Sequence, residues 1–209
     1  MGRISRSIRV RFSRLATRAT GINNLLNSRP GDAFPWHPHE MWMLYRDIRM
    51  RQPEVILEFG TGGTTIVMAE ALRRNGHGHL YTVDAAAKWL AATASSLSEE
   101  SKPFVTLRPS TLEVADHNGV PVHRYTDLPD LPRIDYMFVD GPDPADVPGG
   151  QFKKPISVDP VLLRDKFAPG ARIIVEGRDK NVEFLRTAMG SKYTVKTDRD
   201  FRWTVIDKS

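Results

Sequence analysis

The sequence predicts a three-layer α/β fold with a mostly parallel sheet that ends in an antiparallel strand pair. From residue 53 onward, short apolar runs alternate with helical patterns, which is typical of βαβ units. About four residues separate the last two apolar runs, too few for a parallel crossover, so these runs should form a hairpin. The chain has 209 residues, 40% of them hydrophobic, which is enough for one such domain.

The elements follow in chain order. Residues 1–21 predict a basic amphipathic arm, and residues 22–52 a cap segment with a helix at 39–51. Residues 53–209 form the predicted main domain. Its strands are expected where apolar residues run together, at 54–60, 80–84, 104–108, 134–140, 171–176, 193–197 and 202–207. Its helices are expected at 64–75, 85–97, 157–167 and 181–189, with a short helix at 110–115. The long irregular stretch 141–156 is typical of a lid or binding loop.

The positive charge of the chain lies in the N-terminal arm. Residues 1–21 contain six arginines and no acid, whereas the other 24 basic and 25 acidic residues nearly balance. Such a body lacks the basic excess of a nucleic-acid-binding protein, so no nucleic-acid partner is expected. The arm has three interpretations: a helix on an anionic membrane surface, an organelle transit peptide, or a poorly ordered terminus.

The chain contains no cysteine, which excludes disulfides, thiolate nucleophiles and cysteine-ligated metals. No run approaches eighteen apolar residues, and no apolar stretch of a signal peptide follows the basic start. Arg6 stands where myristoylation needs serine or threonine. We therefore expect a cytoplasmic protein, with peripheral membrane contact through residues 1–21 as an open alternative.

Two signals at strand ends point to a nucleoside cofactor. The segment EFGTGGTT, residues 58–65, is a glycine turn between a strand and a helix, where the backbone can approach a ligand. Asp84 ends the next strand, where an acidic residue can accept both ribose hydroxyls. A dinucleotide site prefers a third glycine or alanine where Thr65 stands. Glu58 would repel a pyrophosphate but attract an ammonium group, which favours S-adenosylmethionine.

These features resemble the class I S-adenosylmethionine-dependent methyltransferases, in particular their small O-methyltransferase-like branch. The resemblance covers roughly residues 39–208. The matching segments are VILEFGTGGTT (55–65), LYTVD (80–84), RPSTLEV (108–114), IDYMFVDG (134–141) and PGARIIVEGR (169–178), together with the closing hairpin. It implies a Rossmann-like three-layer sandwich with a mostly parallel seven-stranded sheet that ends in an antiparallel hairpin.

The resemblance also implies which residues bind the cofactor S-adenosylmethionine. They are Glu58, Gly60, Thr61, Gly62, Asp84, Ala85, Ser110 and Thr111. Glu58 would orient the amino group, Asp84 would hold the ribose hydroxyls, and Ala85 would lie beside the adenine. Pro109 stands where the family often has an acidic residue, so the adenine contacts of this chain depart from the pattern. Simpler roles stay open: Glu58 as a surface carboxylate at a strand end, and Asp84 as a helix N-cap.

Methyl transfer needs an aligned nucleophile and, for a hydroxyl acceptor, a base. The predicted catalytic residues are Asp140, which ends the fourth strand, and His37; His39 and Glu176 are further candidates for the base. Asp140 and Glu176 could share Mg²⁺, but a divalent metal is not expected because Arg178 adds positive charge there. Arg178 could instead pair with a substrate carboxylate or phosphate, or with Glu176 or Asp179. Asp140 could also be only a turn former before Gly141 and Pro142.

We therefore expect methyl transfer from S-adenosylmethionine to a small-molecule or glycan acceptor, most plausibly to an oxygen. The acceptor should lie between loop 141–156 and the segment 34–45. A basic arm would suit an acceptor presented at a membrane. Two alternatives are a nicotinamide-dependent oxidoreductase and a non-catalytic methyltransferase-like binding module at a membrane; Glu58, Thr65 and the final hairpin weaken the first.

Overall fold

A computed structural model describes residues 5–29, 35–149 and 156–209. Seven strands form one sheet, and two further strands form a separate hairpin. The strands are β1 (Val55–Phe59), β2 (His79–Asp84), β3 (Val105–Pro109), β4 (Leu112–His117), β5 (Val120–Tyr125), β6 (Ile134–Val139), β7 (Phe167–Glu176), β8 (Tyr193–Asp198) and β9 (Trp203–Lys208). The helices are α1 (Arg6–Ala19), α2 (Ile22–Asn27), α3 (Pro38–Arg51), α4 (Gly63–Asn75), α5 (Ala87–Ser96), α6 (Asp159–Leu162) and α7 (Asp179–Ala188).

The main sheet has the strand order β3–β2–β1–β6–β7–β9–β8, and only β9 runs against its neighbours. This confirms the predicted mostly parallel, seven-stranded sheet with a final antiparallel pair. Alternate residues of each central strand enter two separate cores. In β1, Leu57 and Phe59 pack on the face of α6 and α7, whereas Ile56 packs on the face of α3 and α4. Both faces are buried, which explains the continuous apolar runs in the sequence.

The predicted short helix at 110–115 is wrong. Residues 112–117 form β4, which pairs with β5, a strand that the sequence analysis missed. The turn between them is Asn118–Gly119, with φ of 54° and 80°. Positive φ at both positions defines the tight hairpin turn that an Asn-Gly pair favours. The signal was present in the sequence, but polar residues in both strands weakened their apolar pattern.

Two other segments differ from the sequence prediction. Helix α2 forms within the cap segment, where Ile22 and Leu26 bury their side chains against α4 and α3. The predicted helix at 157–167 is only the four residues of α6, and β7 already begins at Phe167. Pro169 and Gly170 were expected to precede that strand, but they lie inside its first half, where the strand pairing shifts register.

Helix α1 packs against α3 through a polar face. Ser13 and Thr17 are buried, and Arg9 forms an ion pair with Asp198 at the end of β8. Residues 5–19 are therefore an ordered helix docked on the main domain. None of the helices in the described part of the chain is long and apolar enough to cross a membrane.

Candidate functional site

A cleft of about 360 Å³ opens at the carboxyl edge of the sheet, beside the ends of β1, β2, β6 and β7. Ligands of parallel α/β sheets bind at this edge. The volume lies in the range of small-molecule sites. The residues that line it are Arg29, Pro35, Trp36, His37, Glu40, Met41, Gly60, Thr61, Gly62, Gly63, Thr64, Asp84, Trp89, Ala92, Thr93, Ser96, Asp140, Gly141, Pro142, Asp143, Pro144, Asp146, Glu176 and Arg178.

The glycine turn after β1 forms the floor of the cleft. Gly60 has a φ of +94°, and a Cβ atom at this position would lie 2.6 Å from the backbone nitrogen of Gly141. Gly60 is therefore required for two turns, the one after β1 and the one after β6, to touch backbone to backbone. Gly62 differs, since its φ of 168° is extended backbone and no atom of the described residues lies within 4 Å of its Cβ position. Its surroundings leave room for a ligand to approach.

Glu58 lies beneath this turn and does not line the cleft. Its fully buried carboxyl accepts hydrogen bonds from the hydroxyls of Thr64 (2.5 Å) and Thr65 (2.6 Å). The Thr65 hydroxyl in turn accepts from the amide of Gly62 at 3.0 Å. Glu58 thus stabilises the glycine turn through hydrogen bonds from within the protein. Because the carboxyl is buried, the alternative of a surface carboxylate is wrong.

The charge state of Glu58 bears on its predicted contact with the cofactor. Burial raises the pKa of Glu58 to about 8, despite the hydrogen bonds from Thr64 and Thr65. The carboxyl is therefore largely protonated at neutral pH. Direct attraction of an ammonium group depends on a negative carboxylate at the cleft surface, so the geometry favours an indirect role through the turn. The contact itself stays a prediction.

Asp84 lines the cleft at the end of β2, as predicted for the ribose ligand. Its Oδ2 accepts from both the amide and the hydroxyl of Thr61, each at 2.6 Å. Its Oδ1 accepts from the amide of Ala86 at 2.8 Å. A carboxylate has about four acceptor positions, so Oδ1 can still accept from a ligand hydroxyl. The N-cap of α5 is Ala86, with no side-chain hydrogen bond that caps the helix, so the capping alternative for Asp84 is wrong.

Asp140 directly follows β6 and lines the cleft, where part of the residue is open to solvent. Loss of solvent around the carboxyl raises its pKa to about 6, although the neighbouring Arg178 acts in the opposite direction. The Arg178 guanidinium donates to the backbone carbonyls of Asp140 and of Pro142, at 2.5 Å for the latter. Arg178 therefore stabilises the turn after β6. The predicted pairings of Arg178 with Glu176 or Asp179 are wrong, and Asp179 pairs with Arg202 instead.

Glu40 and Glu176 form a carboxyl pair that the sequence analysis did not predict. Both line the cleft, close enough for each to affect the pKa of the other. Burial raises the pKa of Glu176 well above its ordinary value, and the charge of Asp140 raises it further. Burial likewise raises the pKa of Glu40. The pair therefore keeps a proton to higher pH than ordinary carboxyl groups do.

The two histidines of the cap segment have different environments. His37 lines the cleft, and its Nδ1 accepts from the amide of His39 at 3.3 Å, which caps α3. Neutral His37 therefore carries its proton on Nε2, where it can donate a hydrogen bond. His39 is buried between Arg9 and Ser13, and burial lowers its pKa to about 4. His39 is a neutral packing residue and not a base in the cleft.

Besides Glu58, three further predicted cofactor residues lie outside the cleft. Ser110 is buried, and its hydroxyl accepts from the amide of Asp127 at 2.9 Å. The Thr111 hydroxyl pairs with that of Thr126 at 2.6 Å, and Ala85 does not line the cleft either. Their contacts with the adenine stay predictions. The structure instead brings Trp89 and Thr93 of α5 to the cleft wall, which the sequence analysis missed. Phe34 and residues 150–155, part of the predicted acceptor site, lie outside the described residues.

Within residues 5–29, 35–149 and 156–209, no group of three or more acidic or histidine side chains is arranged to hold a metal ion. Asp140 and Glu176, the two predicted oxygen ligands, both line the cleft. However, these two carboxyls belong to no such group of three in the described residues. The donor set therefore does not fit the Mg²⁺ alternative.

Comparison with known proteins identifies the class of protein to which the chain belongs. A family model described as a methyltransferase domain matches residues 57–207, so the chain belongs to this methyltransferase family. The nicotinamide-dependent oxidoreductase alternative is thereby overturned. A search of the curated proteins found no match.

Solved structures with the same fold agree with this class. The O-methyltransferase TomG from Streptomyces achromogenes, in complex with S-adenosylmethionine, is 19% identical, with a TM-score of 0.57 over 97% of this chain and 95% of that one. The methyltransferase PaMTH1 from Podospora anserina, bound to S-adenosylhomocysteine, is 13% identical, with a TM-score of 0.57 over 100% and 97%. The O-methyltransferase from Bacillus cereus, in complex with S-adenosylhomocysteine, is 14% identical, with a TM-score of 0.54 over 94% and 90%.

Proposed function

We propose that this methyltransferase uses S-adenosylmethionine to methylate a hydroxyl group of a small molecule. The observation that carries the proposal is the meeting of three strand ends in one cleft: the glycine turn after β1, Asp84 after β2 and Asp140 after β6. The similar structures from Streptomyces achromogenes and Bacillus cereus, which are O-methyltransferases bound to this cofactor or its product, support the same reaction.

The cleft fits the cofactor in two respects. Gly62 leaves open space where the backbone must approach a ligand, and the Asp84 carboxylate keeps an acceptor position for a ribose hydroxyl. When bound, the cofactor supplies an activated methyl group on a positively charged sulfur. The cleft also presents carboxylates, Asp140 among them, which complement that positive charge.

Asp140 is the proposed base. Its pKa of about 6 leaves it ionised at neutral pH, yet close enough to neutrality to accept a proton. Glu176 is less suited because burial and the charge of Asp140 raise its pKa well above the ordinary value and favour its protonated form. Two neighbouring carboxyl groups with separated pKa values commonly have such distinct roles. His37 would donate from Nε2 to the acceptor rather than take its proton.

The acceptor is proposed to lie between Trp36 and Met41 on one side and the turn at Gly141–Pro144 on the other. The acceptor oxygen would displace the sulfur at the methyl carbon: a carbon–oxygen bond forms, the carbon–sulfur bond breaks, and its electron pair stays on the sulfur. The hydroxyl proton passes to Asp140. Binding in the cleft aligns the two reactants, which supplies most of the acceleration.

The first test is calorimetric titration with S-adenosylhomocysteine, with NAD⁺ as a parallel titrant. We expect saturable binding of S-adenosylhomocysteine, loss of that binding in Asp84→Ala, and no binding of NAD⁺. Asp127→Ala, which changes an exposed carboxylate outside the cleft, is the control. Binding of NAD⁺ alone would remove the proposed cofactor, and binding of neither would favour a non-catalytic module.

The second test is an acceptor screen that measures formation of S-adenosylhomocysteine with phenols, aliphatic alcohols and glycans. Asp140→Asn should lower kcat by about 100-fold or more if Asp140 is the base. A variant that keeps its kcat would exclude Asp140 from proton transfer. Turnover only with amine acceptors would overturn the O-methyl assignment.

A further inference from the structure

Helix α1 has an unusual orientation on the main domain. Its buried face contains the polar side chains Ser13 and Thr17, which are 1% and 0% exposed. Its apolar side chains point the other way: Ile8 is 59% exposed, Phe12 60% and Leu15 66%. In an amphipathic helix of a globular protein, the apolar stripe normally faces the core. Here most of the stripe is exposed to solvent, although the Phe12 ring also packs edge-on against the Trp42 ring of α3, with centroids 6.2 Å apart.

The docked face explains why this orientation is held. Arg9 pairs with Asp198 and donates to Nε2 of His39, at 3.0 Å, and the Ser13 hydroxyl bonds Nδ1 of the same ring at 2.9 Å. The guanidinium of Arg9 also lies 4.6 Å from the ring centre of Phe201. These directional contacts fix the rotation of α1 about its axis. The exposure of the apolar stripe is therefore built into the fold and is not a consequence of fraying.

The charges beside the stripe are all positive. With helical spacing, Arg11 and Arg18 lie along one flank of the stripe, with Arg14 further round, and all three are exposed. No acidic residue occurs in residues 1–21. A second copy of the chain would bring two such arginine columns together without an acid from either helix, which opposes pairing through this face. An anionic surface complements both the stripe and its flank.

We propose that the outer face of α1, which consists of Ile8, Phe12 and Leu15 with Arg11, Arg14 and Arg18, binds the surface of an anionic phospholipid bilayer. The apolar side chains would enter the boundary between headgroups and acyl chains, and the arginines would remain at the phosphates. Because the inner face of α1 contacts His39, next to the cleft residue Glu40, the bound bilayer would lie close to the cleft.

This inference does not depend on the methyl acceptor, and it is tested by binding alone. The full chain is sedimented with vesicles of equimolar phosphatidylglycerol and phosphatidylcholine, and with vesicles of phosphatidylcholine only. We expect binding to the anionic vesicles that weakens as salt is added. The triple variant Ile8→Gln, Phe12→Gln and Leu15→Gln should bind at least about tenfold more weakly, since burial of one large apolar side chain accounts for about that factor. Arg11→Gln with Arg18→Gln should cost about tenfold on anionic vesicles only.

The matched control is Met50→Gln with Leu162→Gln, which removes two equally exposed apolar side chains elsewhere on the surface. It should bind vesicles like the original chain. Glutamine is a good helix former, and unchanged S-adenosylhomocysteine binding by the triple variant would show an intact fold. The proposal is overturned if the original chain does not bind anionic vesicles, or if the triple variant binds equally well. It is also overturned if the chain is a dimer that the triple variant dissociates, because the face is then an interface between copies.

Discussion

The contact between Gly60 and Gly141 allows a sharp test of the cleft geometry. In Gly60→Ala the new methyl group would lie 2.6 Å from the Gly141 nitrogen and 2.8 Å from its Cα. Both atoms are backbone, so one of the two turns must move. The φ of +94° adds strain for any residue with a Cβ atom.

The magnitude follows from these two contributions. A residue other than glycine in left-handed backbone costs about 1–2 kcal/mol. Overpacking against a neighbour that cannot rotate away costs about 1–3 kcal/mol. Gly60→Ala should therefore lower the free energy of unfolding by about 2–5 kcal/mol, a large part of the total stability of a typical domain. For a chain of this size, the melting temperature should fall by roughly 4–20 °C.

Gly62→Ala is the matched control in the same turn. Its backbone is extended and no atom of the described residues lies within 4 Å of the Cβ position, so stability should change by less than about 1 kcal/mol. Because Gly62 lines the cleft, the same methyl group should weaken S-adenosylhomocysteine binding. Urea unfolding followed by circular dichroism, with calorimetry of both variants, separates the two effects. If Gly60→Ala melts with the original chain, the two turns are not in backbone contact and the reasoning fails.

Three further predictions follow from the site. Asp84→Asn should weaken S-adenosylhomocysteine binding by about tenfold or more, measured by calorimetry, because a hydrogen bond to a charged group contributes about 1.5–3 kcal/mol; unchanged affinity would exclude Asp84 as the ribose ligand. Burial raises the pKa of Glu58 from 4.5 to about 8, so the folded state keeps a proton that the unfolded state loses between these pH values. The free energy of unfolding should therefore fall as pH rises from about 4.5 to 8. In Glu58→Gln, urea unfolding should show a smaller dependence of that free energy on pH. In the activity profile, kcat should rise with pH through about 6 as Asp140 loses its proton, and dialysis against a chelator should leave kcat unchanged.

The strands of the main sheet were predictable because parallel strands with helices on both faces are buried throughout. Residues such as Ile134 and Val139 stand in continuous apolar runs for this reason. The β4–β5 hairpin lies outside that sheet, and most residues of its two strands are partly or fully exposed, so no continuous apolar run marks them. Its strongest sequence signal was the Asn118–Gly119 turn, which outweighs the ambiguous strand pattern on either side.

The cleft was predictable where it depends on strand ends and not where it depends on helix docking. Asp84 and Asp140 end parallel strands of one sheet, and such ends meet at a common edge. Glu40, however, reaches Glu176 only because α3 packs with a particular rotation on the sheet, which no local pattern specifies. The buried bracing role of Glu58 has a similar origin, because it depends on the hydroxyls of Thr64 and Thr65 folding back onto β1.

The same reasoning applies to α1. Its sequence pattern shows that the helix has a polar and an apolar face, but not which of the two packs against the protein. The core beneath α1 is already closed by apolar residues of α2 and α3, such as Ile22 and Leu44. The surface left for α1 to pack against is therefore a polar seam, that is, a strip of polar groups formed by both ring nitrogens of His39 and the carboxylate of Asp198. Arg9 and Ser13 match that seam, so the polar face turns inward and the stripe of Ile8, Phe12 and Leu15 turns outward. A helix held this way keeps its apolar face available to a bilayer without any unfolding, which distinguishes it from an arm that must detach before it can bind.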